Sequence, residues 1–457
     1  MTRATRAGSE ERSDIVTRRA AVALVTAVLD RRITLSTAFA AGTSGNGPAA
    51  ALESLAARDR AFARLIATTV LRRLGEIDRV LSACLEKPLP NRDWFARGVL
   101  RAGVAQLLFI GTPAHAAVDA SVSLLKRDRP GLSGLVNAVL RRIDRERGRW
   151  NDPAPPGLDT PDWLWRRWVR NYGADTAARI EAAHLADPPI DVSLKDCSED
   201  SATRWARELE AEPLPTGGLR RSAGGAIDTW PGYSDGAWWV QDAAASLPAQ
   251  ILMSAMASGE TETAGPVLDL CAAPGGKTAQ LAAAGLPVTA VDLDPARIAR
   301  LEHNLARLGL KADLVEADAA TVAAPARAVL LDAPCTATGT IRRHPDVQHL
   351  RHDADLALLV RVQTDLLRHA ASLVSPGGVL VYAVCSLEPE EGEQAIDRFL
   401  SGQTSEAVFA RLPVRAVEIG GFDSALTAAG DVRTLPCHLA GRGGMDGFYI
   451  ARLKRTD

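Results

Sequence analysis

The sequence predicts a multidomain chain: an all-α bundle, a small intermediate domain, and a doubly wound α/β domain that carries the chemistry. Three observations predict it. Residues 14–146 place apolar side chains at helical spacing almost throughout, with few aromatics and no β-branched alternation. Residues 151–161 break that pattern with Pro, Asp and Gly. From Ala237 onward, short apolar runs alternate with helical stretches, the signature of βα units in a mostly parallel sheet covered on both faces. A chain of 457 residues is also too long for one compact core. The expected boundaries are a flexible tail at 1–13, the bundle at 14–147, a linker and small domain at 148–235, and the α/β domain at 236–457.

In the bundle, Ile15–Leu29, Ala57–Leu85, Trp94–Leu108, Val118–Leu124 and Leu132–Ile143 read as helices. Gly42–Pro48, Pro88–Pro90 and Gly111–Pro113 punctuate them. The intermediate domain opens with an amphipathic helix, Trp163–Ala186, followed by a short strand at Ile190–Lys195. Trp163, Trp165 and Trp168 sit at helical spacing, which favours packing over a base-stacking platform.

The α/β domain is organised around Pro266–Thr278. There an apolar run leads through a glycine pair, Gly275-Gly276, into a helix, the pattern of the first strand, loop and helix of a Rossmann-like unit. The glycines let backbone approach a ligand closely. The second strand, Pro287–Val291, ends on Asp292, 23 residues after Asp269, where such folds hold a ribose hydroxyl pair. This predicts a nucleoside-cofactor site. Gly276-Lys277-Thr278 also resembles the end of a phosphate-binding P-loop, but that motif needs a glycine where the chain has Cys271. Further on come a helix Ala296–Leu308, strands Ala312–Val315 and Ala328–Leu331, a helix Asp353–Leu373, the turn Ser375–Gly378, and strands Val379–Val384 and Gly447–Leu453.

Ligands of such sheets bind at the carboxyl ends of the strands. Those ends carry Asp269 and Cys271, Asp292, Asp318, then Asp332-Ala333-Pro334-Cys335, then Cys385-Ser386. Two cysteines and several carboxylates thereby share one rim, which points to chemistry rather than packing.

Composition excludes several classes. No run of 18 apolar residues appears, so no transmembrane helix is expected, and the polar start Met1–Arg12 does not read as a secretory signal. The six cysteines form no C-x-x-C pair and have no His partner at zinc spacing, so no metal is expected and the reducing cytoplasm is the expected compartment. The net charge of −2 hides an asymmetry. Residues 1–150 carry 25 Lys/Arg against 14 Asp/Glu, a net +11, and the remainder is acidic. A basic first third fits a polyanionic partner or a solvated arginine-rich surface.

Pro113-Ala114-His115-Ala116-Ala117-Val118, Ser123-Leu124-Leu125-Lys126 and Gly134-Leu135-Val136-Asn137-Ala138-Val139-Leu140-Arg141-Arg142 resemble the NusB family of RNA-binding helical domains. The segment Asp332-Ala-Pro-Cys335-Thr-Ala-Thr-Gly-Thr-Ile-Arg-Arg-His344-Pro-Asp, together with Val384-Cys385-Ser386 and the Asp269–Thr278 loop, resembles the RNA cytosine-C5 methyltransferases, class I enzymes that use S-adenosylmethionine. Joined to a NusB-like domain, it resembles the RsmB (Sun or Fmu) type, which modifies 16S ribosomal RNA. Val384 stands where that family often has threonine, and Leu194-Lys195 where it often has Arg and Asn.

The resemblance implies roles. Cys385 would be the nucleophile, Cys335 the cysteine that resolves the adduct, and Asp332 the acid at the base's N3/amino edge, in a dry site. Lys277 would lie near the base or the donor's carboxylate. The run Cys271-Ala272-Ala273-Pro274-Gly275-Gly276-Lys277 would cup the methionine end of S-adenosylmethionine, with Asp292 on the ribose, Asp318 on the adenine amino group and Asp332 bordering the donor. Arg342, Arg343 and His344 would form a basic loop for RNA phosphates. The expected partner is RNA, 16S rRNA in particular, and the expected state a monomer. A non-catalytic RNA-binding or assembly factor is the rival from another class. A tRNA methylase is the rival enzyme, which the NusB-like domain disfavours.

Overall fold

The computed structural model describes residues 3–150, 152–222, 224–259, 265–403 and 408–457, with the side chains of the first helix described from residue 13. The chain divides into two units. One is Met1–Val169 with His344–His352, and the other is Arg170–Arg343 with Asp353–Asp457.

The first unit is helical: α1 (Arg3–Leu29), α2 (Leu35–Thr43), α3 (Ala57–Arg72), α4 (Leu74–Cys84), α5 (Trp94–Val104), α6 (Ala114–Asp128) and α7 (Ser133–Arg145). Helix α1 already runs from Arg3, where the sequence was expected to hold a tail. Ala, Arg and Glu are strong helix formers, and no proline interrupts them. Its inner face buries Ala20, Leu24 and Val28 in one core with Ile66 of α3, Leu100 of α5 and Leu124 of α6. The expected single helix Ala57–Leu85 is two helices, broken at Arg73. The reason is a close approach: a Cβ on Gly75 would lie 1.9 Å from the Leu158 carbonyl oxygen, and Asp159 accepts from the Glu76 N–H at 2.9 Å. Trp165 packs on Gly157 and Trp168 is fully buried, so these tryptophans pack rather than present a stacking platform.

The helical unit is therefore larger than 14–147. It reaches Val169 and takes in His344–His352, with its short helix α14 (Val347–Leu350). Asp346 accepts from the Leu35 N–H at 2.9 Å, His349 Nε2 donates to the Leu71 carbonyl at 2.7 Å, and Arg32 donates to the Leu350 carbonyl at 2.6 Å.

In the second unit, the helical segment expected as one piece is α8 (Asp162–Tyr172, which begins in the first unit) and α9 (Ala174–Leu185), parted by Gly173 at φ 82°. Then come β1 (Ile190–Leu194), α10 (Glu199–Glu208), β2 (Glu212–Pro213), β3 (Leu219–Arg221) and β4 (Trp238–Val240). These strands form an antiparallel sheet in the order β2-β3-β1-β4, over a core of Val192, Leu194, Trp205, Leu219 and Trp238. Strand β4 pairs with β1, so the small sheet extends past the expected boundary at residue 235. It also leans on the larger sheet's helices within the same unit. Lys195 donates to the Leu308 carbonyl at 2.6 Å, and Arg307 to the Tyr233 carbonyl at 2.8 Å.

The larger layer holds α11 (Ala243–Ala257), β5 (Val267–Leu270), α12 (Gly276–Ala283), β6 (Val288–Asp292), α13 (Pro295–Leu308), β7 (Asp313–Glu316) and β8 (Ala326–Asp332). It continues with α15 (Asp353–Leu373), β9 (Val374–Val384), α16 (Glu393–Ser401), β10 (Phe409–Arg411), β11 (Val432–Arg433) and β12 (Tyr449–Arg455). The strand order is β10-β12-β9-β8-β5-β6-β7, with β11 on β12. Strands β5 to β9 are parallel, and β12 inserts antiparallel beside β9. This is the Rossmann-like α/β layout that the alternation of strands and helices predicts. Strand order reverses between β5 and β8, so the crevice opens above their carboxyl ends. Among the described residues no helix is long and apolar enough to cross a membrane, and no cluster of His, Cys, Asp and Glu could hold a metal ion.

Candidate active site

Strand register decides which residues meet. Leu270 of β5 pairs with Val291 of β6 and Leu331 of β8, and Asp332 pairs with Ala383 of β9. The residues that follow, Cys271, Asp292, Asp332 and Cys385, therefore leave neighbouring strands at one rim. Asp318 lies beyond β7 on the outer edge, exposed, where its Oδ1 accepts from the Ala320 N–H at 2.9 Å.

The loop from Cys271 to Gly276 is built by its own backbone. Gly275 takes φ 98°, and a Cβ there would come within 2.7 Å of Leu301 Cγ, so the position demands glycine twice over. Cys271 itself adopts φ 61°. Burial pushes its thiol up to about 12, which leaves it a poor nucleophile. Asp292, almost fully buried, accepts from the Ala273 N–H at 3.0 Å and from Arg297 at 3.2 Å. Arg297 also donates to the Ala273 carbonyl, and Asn304 to the Pro274 carbonyl at 3.1 Å. Neither Arg297 nor Asn304 stood out in the sequence. The signal was there: Asp294-Pro295 starts α13, so its first turn points back at the loop. Leu293, 67% exposed beside Asp292, is a third unmarked residue on this rim.

Beneath the loop, Asp269 is fully buried and accepts from the Thr278 hydroxyl at 2.6 Å. Its other oxygen has no hydrogen-bond partner among the described residues. Burial raises its proton affinity to about 7, against an opposing contribution from Thr278. The folded chain favours the protonated form. The resulting stabilisation is complete below the unfolded value of 3.8 and is lost as pH rises through about 7. Asp269→Asn, a permanent mimic of the neutral form, is expected to flatten this loss. Urea midpoints of both proteins at pH 5 and pH 8 check it: equal falls in the two would refute it.

The two thiols face each other, with Cys335 Sγ 3.5 Å from Cys385 Sγ. The hydrogen bond to Cys385, followed by burial, raises the Cys335 thiol well above its ordinary range. Lys277 donates to Asp332 Oδ2 at 2.8 Å. Burial disfavours the Lys277 ammonium, but Asp332, with smaller contributions from Asp269 and Cys385, more than offsets this. Asp332, expected in a dry site, is one half of this ion pair, its side chain 29% exposed. After β8 the chain is pinned close by. Gly339 N–H donates to the Cys385 carbonyl at 3.0 Å, and a Cβ on Gly339 would lie 1.9 Å from the Gly447 oxygen.

The expected basic loop is a correction. Arg342 is fully buried, 2.5 Å from Asp242 Oδ2 and 3.5 Å from Asp446 Oδ1, and it donates to the Gly443 carbonyl at 3.0 Å. Arg343 Nε donates to Asp446 Oδ2 at 2.8 Å. Both guanidiniums hold the fold beside the thiols instead of reaching for phosphates, while His344 belongs to the helical unit. Arg343 still senses the Cys385 sulfur, so Lys277 and Arg343 together give that thiol a positive setting.

Residues 253–454 match the family described as 16S rRNA methyltransferase RsmB/F, and residues 16–145 match the NusB family. A ribosomal RNA small subunit methyltransferase B from Erwinia tasmaniensis is 34% identical, over 88% of this chain and 92% of its own. One from Pseudomonas putida is 34% identical over 93% and 98%. The chain belongs to the RsmB/F family of 16S rRNA methyltransferases. The crystal structure of PH0851 shares the fold at TM-score 0.71 and 23% identity, covering 96% of this chain and 98% of that one. NSun6 from Pyrococcus horikoshii, solved with SFG, does so at TM-score 0.51 and 20% identity over 65% and 98%. The methyl donor of an RsmB/F methyltransferase with this sheet is S-adenosylmethionine. The loop fits it: the N-terminus of α12 offers backbone N–H groups to an anionic end, and Asp292 offers acceptors beside an exposed apolar side chain.

Proposed function

We propose that this RsmB/F methyltransferase methylates carbon 5 of a cytosine in 16S rRNA through a covalent bond between Cys385 and carbon 6. The observation that carries the reading is the thiol pair at 3.5 Å beside the Lys277–Asp332 ion pair. When bound, S-adenosylmethionine supplies an electrophilic methyl group. The loop Cys271–Lys277 would hold its methionine end, Asp292 the ribose hydroxyls, Leu293 the adenine face and Asp318 the adenine amino group.

Carbon 5 of cytosine is a poor nucleophile until a thiolate adds at carbon 6. Cys385 attacks as the thiolate, with the Cys335 sulfur 3.5 Å from it. As Cys385 forms the S–C6 bond, the ring's electron pair moves to carbon 5 and basicity grows at N3. Asp332 first accepts from the amino group, then passes to N3 a proton drawn from its pair with Lys277. Carbon 5 uses its electron pair to bond the methyl group, while the methyl–sulfur bond of the donor breaks and its pair stays on sulfur, leaving a neutral thioether. Release runs in reverse: carbon 5 gives its proton to water, its electron pair restores the C5–C6 bond, and N3 returns its proton. The S–C6 pair goes back to Cys385, where the Cys335 S–H meets it. The basic helical unit supplies phosphate contacts, consistent with its net charge.

Tritium at cytosine C5 reports on this directly. RNA carrying it should lose one tritium to water per methyl transferred, and methylation without tritium release would exclude carbon 5. Bisulfite sequencing of rRNA from a deletion strain then locates the base.

Asp292→Ala is expected to weaken S-adenosylmethionine binding at least tenfold, since each lost charge-assisted bond is worth about 1.5–3 kcal/mol. Calorimetry on the folded variant checks this, and wild-type affinity would remove Asp292 from the ribose site.

A further inference from the structure

Each cysteine is followed by a hydroxyl residue, Thr336 after Cys335 and Ser386 after Cys385, and their Oγ atoms are 3.0 Å apart. Both are fully buried. One carboxylate anchors this junction. Glu391, with no solvent exposure, receives the Thr336 N–H at 2.9 Å, the Thr336 hydroxyl at 2.5 Å and the Gln363 amide at 2.8 Å. The same Gln363 amide donates to the Pro334 carbonyl at 2.9 Å, so the chain is gripped on both sides of Cys335. Glu391 itself is fixed from the other cysteine's side. It sits in the turn that follows the Cys385 strand, and its carbonyl accepts from the Tyr382 hydroxyl of β9 at 2.7 Å.

A buried carboxylate usually answers to a cation. Here Thr336 and Gln363 donate as neutral groups, and both lie on or beside the chain that carries Cys335. Such a group costs desolvation and is satisfied only by this one arrangement of the two strand ends.

We propose that Glu391 is a positioning residue that clamps the Cys335 chain against the Cys385 chain, so that the Cys335 S–H stands where the Cys385 sulfur departs from carbon 6. This rests on the covalent reading above and assigns to Glu391 the step that ends the adduct. Attack needs only the Cys385 thiolate in its positive setting, whereas release needs the second thiol within hydrogen-bond reach. The Glu391 charge also helps hold the proton on Cys335.

The test uses the full-length protein with Glu391→Gln, which keeps the shape but turns one acceptor into a donor facing N–H groups. Single-turnover methylation of labelled RNA is followed on denaturing gels, next to steady-state kcat and KM. Expected is a kcat lower by about 10–100-fold with KM for both substrates little changed, the cost of a small misplacement at the reacting centre. A covalent protein–RNA band should accumulate with natural RNA. Turnover like wild type without that band overturns the proposal. So does loss of both band and product in a folded variant, which would place Glu391 on the attack side. If Glu391→Gln does not fold, Thr336→Val decides, since it removes only the hydroxyl: a smaller accumulation supports the clamp and wild-type release overturns it. Failure of the covalent reading is seen separately, as absence of any adduct in Cys335→Ala.

Discussion

Replacing Cys385 with Ala is expected to abolish methylation and to leave no covalent RNA complex. Replacing Cys335 with Ala should leave attack and methyl transfer intact but stall the enzyme as an adduct. The sulfurs are equivalent by distance, 3.5 Å apart, but not by surroundings. Cys335 is buried, and its hydrogen bond to Cys385 and its burial raise its thiol, while Cys385 is partly exposed and interacts electrostatically with Lys277 and Arg343. Loss of a nucleophile that acts within a catalytic unit costs at least ~1,000-fold in turnover. Denaturing gels with labelled RNA separate the outcomes: a shifted band for the Cys335 variant and none for the Cys385 variant. The opposite pattern would exchange the two roles.

The largest expected loss of stability comes from Arg342→Ala. It removes the buried cation shared by two buried carboxylates: Asp242, which also accepts from the Ala244 and Asp446 N–H groups, and Asp446, which is left with Arg343 alone. Burial opposes the charge on both. Asp242 is nonetheless held below its ordinary range by Arg342 and Arg343, whereas Asp446 is raised by burial. Removing one partner of such a cluster costs about 3–5 kcal/mol, on the order of 10 °C in apparent Tm. Arg342→Met combined with Asp242→Asn should lose much less than the two single changes added together. Thermal melts of the four proteins test this, and additive losses would mean that the ions do not act as a unit.

Those two arginines also show where the sequence stops being readable. In Arg342-Arg343-His344 a linear reading sees an exposed basic loop. The partners that bury the arginines, Asp242 and Asp446, stand about a hundred positions away on either side. By contrast Asp353–Leu373 was legible to the residue, because an acidic first turn and a long apolar stripe are both local signals. The mostly parallel sheet followed from the alternation of strands and helices, and the rim residues from strand ends. Helix α2 left no such trace: Leu35–Thr43 is rich in Ala, Gly and Thr, and only the Thr34 cap marks it. Glu391 hides in the acidic run Glu388–Glu393, which reads as solvated although Glu388 and Glu391 have no exposure. Burial of a charge depends on what folds over it, and periodicity carries no record of that.

The helical unit's claim on His344–His352 matters at the ribosome. After Val169 emerges, 174 further residues (170–343) must be synthesised before this unit's last piece appears. At bacterial elongation rates of about 5–20 residues per second, that is a wait of roughly 10–35 seconds. Throughout it, the Leu71 carbonyl and the Leu35 N–H lack the partners that His349 and Asp346 later bring. The N-terminal helices thus begin folding first, yet they are completed by chain made after the first four parallel strands of the other unit.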